Sequence, residues 1–348
     1  FGPVLLTAGT SMLIADDANK LRYNNPGLVV DVGVGLWGMP LPMDYDGDGD
    51  HDILMIAGGD VGNGTFFFEN SSGENGMPIF KPGKRIGPGE GSTCITYEKG
   101  EPRIFSKTGK EYVGFLEHGY DNPVQLPLDT DFHQADKIRA RFWGIVDYNG
   151  DGVLDLFCAV GDWDDYGWED AFNSEGEWIN GPLHGHIYWI PNQGDSDNPD
   201  YGDPVMIETT SGPIDVRGSP LPNFRDFDRD GDLDILVGEF VDTLTYFENT
   251  GSPTRPNYAD GRKLMIGGEV FHSKLCMHLP VAFDWDKDGD QDLVIGEEDG
   301  RVSLMENTGR MIDGLPEYRP PEYFQQEAEY LKFGVLSTPF GFDWDDDG

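Results

Sequence analysis

The motif D-x-[D/N]-x-D-G-x-x-D recurs along this chain, and each copy runs straight into a short apolar strand: DYDGDGDHDILMIAGG from Asp44, DYNGDGVLDLFCAVG from Asp147, DFDRDGDLDILVGEF from Asp226 and DWDKDGDQDLVIGEE from Asp284. A fifth copy opens at Asp343 without its ninth position, so the chain is expected to continue past Gly348. Alternate acids in such a loop converge on one side of a tight turn. The glycine permits the backbone reversal and the ninth acid closes an oxygen shell suited to a hard cation, Ca²⁺ above all. Repetition of the whole unit points to an array of similar β modules.

The loop starts at 44, 147, 226, 284 and 343 are separated by 103, 79, 58 and 59 residues, which sets a unit of about 58. The 103-residue gap has room for a unit without a metal loop, whose strands are read in TCITYEKGEPRIFSKTGKEYVGFLEHG from Thr93. Within the regular units an approach strand, the acidic loop, a second strand, a third strand ending in E-N-T-G and a fourth strand follow in order. Four antiparallel strands per unit describe a propeller blade. The expected fold is therefore all-β, a single β-propeller of about seven four-stranded blades covering residues 1–348, with a linear β-solenoid as the alternative.

Composition agrees with many short strands and tight turns: 48 Gly, 24 Pro and 12% aromatic residues. A formal charge of -40, from 64 acidic against 24 basic residues, repels nucleic acid and anionic lipid. Three cysteines, Cys94, Cys158 and Cys276, cannot form a disulfide framework, and no stretch is long and apolar enough to cross a membrane. Loops of this kind fill where Ca²⁺ is millimolar, so a secreted, cell-surface or periplasmic monomer is expected.

The calcium ligands read from the spacing are Asp44, Asp46, Asp48 and Asp52; Asp147, Asn149, Asp151 and Asp155; Asp226, Asp228, Asp230 and Asp234; Asp284, Asp286, Asp288 and Asp292; and Asp343, Asp345 and Asp347 of the open fifth copy. Their role is expected to be structural, one ion stapling each unit. Four of the seven histidines fall in two short segments, His184 and His186 in LHGHIYW, and His272 and His278 in FHSKLCMHLP with Cys276 between them. Cys276 and His278, two apart on a strand, would face the same side and complete a tetrahedral structural zinc set with the histidines. His51 lies at a non-ligand loop position and is expected to be exposed.

Aligning the units on their loops isolates residues that break the repeat. Arg217 stands where other units carry Gly35, Ile138, Leu275 and Gly334, and Tyr188 where they carry Phe66, Thr245 and Ser303. Arg139 and Arg141 enter an inner strand, with Lys137 and His133 just before it, while His118 occupies the E-N-T-G turn of the loop-less unit. An Arg, a His and a Tyr at one end of a channel suit an anionic substrate. In β-elimination on a uronic acid, Arg217 would neutralise the carboxylate while His133 and Tyr188 divide base and acid. Arg139, Arg141 and Lys137 would then hold further anionic groups of a polysaccharide.

The loops and E-N-T-G turns resemble FG-GAP or VCBS-type propeller repeats over nearly the whole chain. With the His/Cys cluster and the His, Tyr and Arg positions, they look like the propeller-type ulvan lyases. That resemblance implies cleavage of a sulfated uronic-acid polysaccharide by elimination, with His and Tyr as acid and base, an Arg nearby, structural Ca²⁺ and one Zn²⁺, and with His118 able to replace or assist His133. The competing readings are a non-catalytic adhesion or glycan-binding propeller and a rhamnogalacturonan lyase.

Overall fold

The apolar run after each acidic loop is too short for a helix and is buried on both faces. Every residue of Asp52–Ala57, Asp234–Gly238 and Asp292–Gly296 is buried, as are all of Asp155–Asp162 except the last. Strands of this kind sit inside a sheet that is covered on both sides.

A computed structural model describes residues 27–58, 63–73, 76–167, 172–196 and 198–328. The described residues hold five four-stranded antiparallel sheets, each with its strands in chain order. The first is Gly38–Met43, Asp52–Ala57, Gly64–Phe68 and Lys84–Gly87; the second is Cys94–Glu98, Glu101–Phe105, Lys110–Tyr112 and Pro123–Gln125. The third is Ile138–Val146, Asp155–Asp162, His184–Ile190 and Val205–Met206. The fourth is Leu221–Arg225, Asp234–Gly238, Leu244–Phe247 and Arg262–Lys263; the fifth is Leu279–Phe283, Asp292–Gly296, Val302–Met305 and Glu322–Tyr323. The second sheet, which has no acidic loop, arises where the loop-less unit was read.

First strands of different sheets are tied by hydrogen bonds. Tyr97 Oη donates to the Pro42 carbonyl at 2.6 Å, and the Ile145 amide donates to Thr96 Oγ1 at 3.3 Å. Asn223 Nδ2 donates to the Pro280 carbonyl at 2.9 Å while its Oδ1 accepts from the Ala282 amide at 2.8 Å. The largest apolar cluster draws on the first strands of all five sheets, including Leu41, Ile95, Phe142, Phe224 and Val281. Smaller clusters fill the spaces between the fourth and fifth sheets (Leu236, Tyr246, Leu293, Met305) and between the fifth and first (Ile53, Phe68, Trp285, Val294).

The expected seven-bladed propeller, and with it the resemblance to propeller-repeat families, is overturned by this arrangement. Nine separate small sheets are present among the described residues, five of four strands, one of three and three of two, and none closes on itself or curls. The count of seven extrapolated a regular unit beyond each end of the repeats. Instead, Val29–Asp31 pairs antiparallel with Gln325–Glu327, which pairs parallel with Ile79–Phe80, so segments nearly three hundred residues apart satisfy one another's backbone groups. Asn307–Ile312 and Leu315–Tyr318 likewise form a two-stranded sheet of their own, with no place in a four-stranded unit. The acids of the fifth loop copy, Asp343, Asp345 and Asp347, lie outside the described residues. No helix among the described residues is long and apolar enough to cross a membrane.

Candidate functional site

The four described loops share one local geometry. The sixth-position glycines, Gly49, Gly152, Gly231 and Gly289, have φ between 86° and 100°, a region closed to most side chains. Each donates its amide to Oδ2 of the first aspartate: Asp44 at 3.1 Å, Asp147 at 3.1 Å, Asp226 at 3.1 Å and Asp284 at 3.2 Å. That turn brings the alternate acids together. Ligand atoms of Asp44, Asp46 and Asp48, of Asp226, Asp228 and Asp230, and of Asp284, Asp286 and Asp292 lie within 4.8 Å of one another. In the second loop Asn149 replaces one acid, and its Nδ2 donates to Asp151 Oδ2 at 2.9 Å.

Oδ1 of Asp226 and Oδ1 of Asp284 are buried with no hydrogen-bond donor among the described residues. Buried anionic oxygens without donors are costly unless a cation answers them, so these acid sets fit a divalent ion. The seventh-position acids Asp50, Asp232 and Asp290, which the spacing argument passed over, are almost fully buried, and each also keeps an Oδ1 without a donor. The recurrence of Asp at the seventh position in three loops of four was the available signal.

The ninth-position aspartates do a second job. Asp52 accepts the amides of Tyr45 at 3.0 Å and Asn70 at 2.8 Å; Asp234 those of Phe227 at 3.2 Å and Asn249 at 2.8 Å; Asp292 those of Trp285 at 3.0 Å and Asn307 at 2.8 Å. Asp155 accepts the Asn192 amide at 2.7 Å and Trp189 Nε1 at 2.8 Å. Each therefore clamps its loop to the asparagine that ends the third strand. Asn249 Oδ1 in turn accepts from Gly251 and Asn257, which explains why E-N-T-G recurs. Burial pushes the Asp52, Asp234 and Asp292 carboxyls up to about 7, against the opposing pull of those amide donors. Among the four, only Asp292 also joins a cluster of potential ligands.

A different polar group lines one face of strand His184–Ile190. His184, His186 and Tyr188 alternate along the strand and so project from the same face. His184 Nδ1 is 2.7 Å from Asp215 Oδ2 and its Nε2 is 3.3 Å from Asp165 Oδ2. Burial lowers the His184 pKa, but these two carboxylates outweigh it and the net shift is upward. His186 Nδ1 donates to the Ile214 carbonyl at 3.3 Å, the contact that fixes Nε2 as the lone-pair nitrogen. The His184 and His186 rings stack with centroids 5.9 Å apart, and His184, His186 and Asp215 offer ligand atoms within 4.8 Å. Two imidazoles and one carboxylate suit a borderline ion such as zinc, with a fourth position left over.

Beside His186, at 5.8 Å between ring centroids, stands His133. Its Nδ1 is 2.7 Å from Tyr188 Oη and its Nε2 is 2.9 Å from Asp162 Oδ2. Burial, then Cys158 and Asp162, push the Tyr188 phenol up to about 12, so it stays protonated at neutral pH. Asp162, Asp165 and Asp215 were missed in the sequence because acids are abundant and none of the three belongs to the repeat.

The remaining expected residues are not gathered there. His272 pairs with Asp242 at 2.8 Å on an exposed surface, and Cys276 is exposed. His278 is buried, with Nδ1 3.2 Å from the Val241 carbonyl and burial lowering its pKa. Cys276 and His278 do not share a face, because Met277 between them adopts φ of 57° and the strand begins only at Leu279. The Arg139 guanidinium lies over the rings of Trp37 at 4.6 Å and Trp163 at 5.3 Å. Arg141 bonds the Thr130 carbonyl and Asp131, and Lys137 is bound through its amide to Asp164. Arg217 is exposed and meets Glu239 through its amide, while His118 sits in the single helical turn Phe115–His118 beside Glu117 at 3.8 Å. His51 is buried rather than exposed: its Nδ1 is 2.8 Å from the Trp285 carbonyl and its ring packs on Phe283 and Trp285.

The expected polysaccharide lyase, of the ulvan or the rhamnogalacturonan type, required a propeller channel to gather these groups, and the adhesion or glycan-binding alternative required the propeller itself. The described residues form no such propeller, which overturns these functions together with the fold. A scan against protein-family models and a search of the curated proteins found no match to the chain.

Proposed function

We propose that this chain is a divalent-cation-binding protein that works outside the cytosol, where Ca²⁺ is millimolar. Ca²⁺ occupies the loops at Asp44, Asp226 and Asp284 and, with weaker charge, the loop at Asp147, stapling each loop to its sheet. Zn²⁺ occupies His184, His186 and Asp215. The observation that carries this reading is the set of buried carboxylate oxygens without donors, repeated in the loops at Asp44, Asp226 and Asp284 among the described residues; the Asp147 loop is included for its shared turn. Titration calorimetry tests it. Saturable Ca²⁺ uptake at several sites, with Mg²⁺ weaker, is expected, and uptake should fall by one site in Asp226→Asn/Asp228→Asn. A metal-stripped chain that takes up no Ca²⁺ at millimolar concentration would refute it.

A second role, acid–base catalysis, draws support from the Asp162–His133–Tyr188 chain of contacts. A carboxylate orients the imidazole, and the imidazole shares a proton with a phenol, which is a working arrangement for proton transfer to a bound substrate. Turnover found in a screen of chromogenic esters and glycosides should disappear in His133→Asn and in Tyr188→Phe while folding is retained. Turnover that survives both substitutions would remove catalysis from this group.

A further inference from the structure

Arg225 ends the first strand of the fourth sheet, and its guanidinium is half-buried with no carboxylate partner among the described residues. Nε donates to Gln291 Oε1 at 3.1 Å, Nη1 donates to the Phe224 carbonyl at 2.9 Å, and the guanidinium carbon stands 5.8 Å from the centre of the Tyr97 ring. A charge withdrawn from water is ordinarily paired, and a neutral amide and a carbonyl leave this one uncompensated. It lines a cavity of about 680 Å³ whose apolar walls include Met43, Tyr97, Leu116 and Phe283. A volume of that size holds a small organic molecule. Lys287 stands at the same cavity, donating to the Gly49 carbonyl at 2.8 Å.

We infer that this cavity binds a small organic carboxylate, its anionic group on the Arg225 guanidinium and its flat apolar body against Tyr97 and Phe283. The planar guanidinium suits a carboxylate, and the aromatic wall suits an unsaturated body. Asp44 and Asp284 also border the cavity and repel an anion when bare. This part of the inference rests on the cation reading above: Ca²⁺ in those two loops cancels their charge, leaves Arg225 and Lys287 dominant, and makes anion binding depend on calcium.

Benzoate is the probe, with benzamide as its uncharged analogue, measured by calorimetry on the full chain at rising Ca²⁺. Saturable benzoate binding that tightens as calcium loads is expected, with benzamide at least tenfold weaker because the charge-assisted contact is lost. Arg225→Met should weaken benzoate at least tenfold and Lys287→Gln less. The benzamide comparison needs no variant and stands even if Arg225→Met fails to fold. Equal affinity for benzoate and benzamide, or no benzoate binding at any calcium level, overturns the site. Calcium uptake is read on the same samples, so the two readings fail separately: benzoate binding without calcium uptake sinks the cation reading and leaves the anion site, whereas calcium uptake without benzoate binding does the reverse.

Discussion

The Asp226 loop and the edge of strand His184–Ile190 each gather three side chains within ligand distance, but by different means. Asp226, Asp228 and Asp230 lie within five residues, and their convergence follows from one turn with a glycine at φ 99°. The His184, His186 and Asp215 group takes two members from one strand and the third from a segment thirty residues on. That segment is held against the strand by the Val216 amide bonding to the Gly185 carbonyl at 3.0 Å. A local site can therefore be copied from sheet to sheet as a motif, whereas an assembled site appears once. The two should also respond differently to perturbation.

The widest separation should come from calcium. Ligand at a hundredfold over its dissociation constant stabilises by about 2.7 kcal/mol per site, so the three all-aspartate loops alone amount to about 8 kcal/mol, with the weaker Asp147 loop adding less, measured as the loss of unfolding free energy in denaturant after chelation. Zinc removal alone should cost about a third of that. Comparable losses would erase the distinction between repeated staple and single site. Next, Asp234→Ala should destabilise the chain by about 4 kcal/mol, because it strands the buried amides of Phe227 and Asn249. Asp165→Ala, which removes an exposed acid at the histidine edge, should stay within about 0.5 kcal/mol.

Acidity tests the same contrast. Asp52, Asp234 and Asp292 titrate at about 7 in the folded chain, well above the ordinary unfolded value of about 3.9. The folded state therefore holds more protons between about pH 4 and pH 7, and the metal-free chain should lose stability as pH rises through that window. Urea midpoints at pH 5 and pH 8, with and without calcium, read this directly. A metal-free chain more stable at pH 8 would contradict the buried-clamp account of these aspartates. At the histidine edge the metal-free contribution has the same sign, since His184 is also raised, and because protonation of His184 competes with metal, zinc uptake should weaken as pH falls. His186→Asn should weaken zinc by about 100-fold and leave the calcium isotherm unchanged. The smallest effect belongs to a pair outside both regions: Arg310→Ala, breaking the contact of an exposed arginine with Glu317, should leave the urea midpoint unchanged.

Much of the local structure was legible. The strands after each loop, the antiparallel order within the units and the strands of the loop-less stretch from Thr93 all follow from short apolar runs and turn residues. What the repeat could not supply was the number and closure of sheets, because pairings such as Val30 with Gln326 join distant segments that carry no mark of each other. His51 and the Cys276–His278 pair show the same limit at single residues. A histidine in an acidic loop reads as solvent-facing until Trp285 arrives from another sheet to cover it, and two residues spaced as strand neighbours diverge once Met277 turns the backbone.

By itself, then, the amino-acid sequence determined the acid loops, their glycine reversal and the strand that each introduces, since those depend on neighbours within about ten residues. Only the tertiary structure decided that the ninth aspartates are clamps as well as acids, that His133 stands between Asp162 and Tyr188, and that Arg225 faces a cavity with no carboxylate partner among the described residues. Those facts are set by which sheets touch. Sheet contact is decided by the burial of apolar surface, which is non-directional and leaves no spacing rule in the chain.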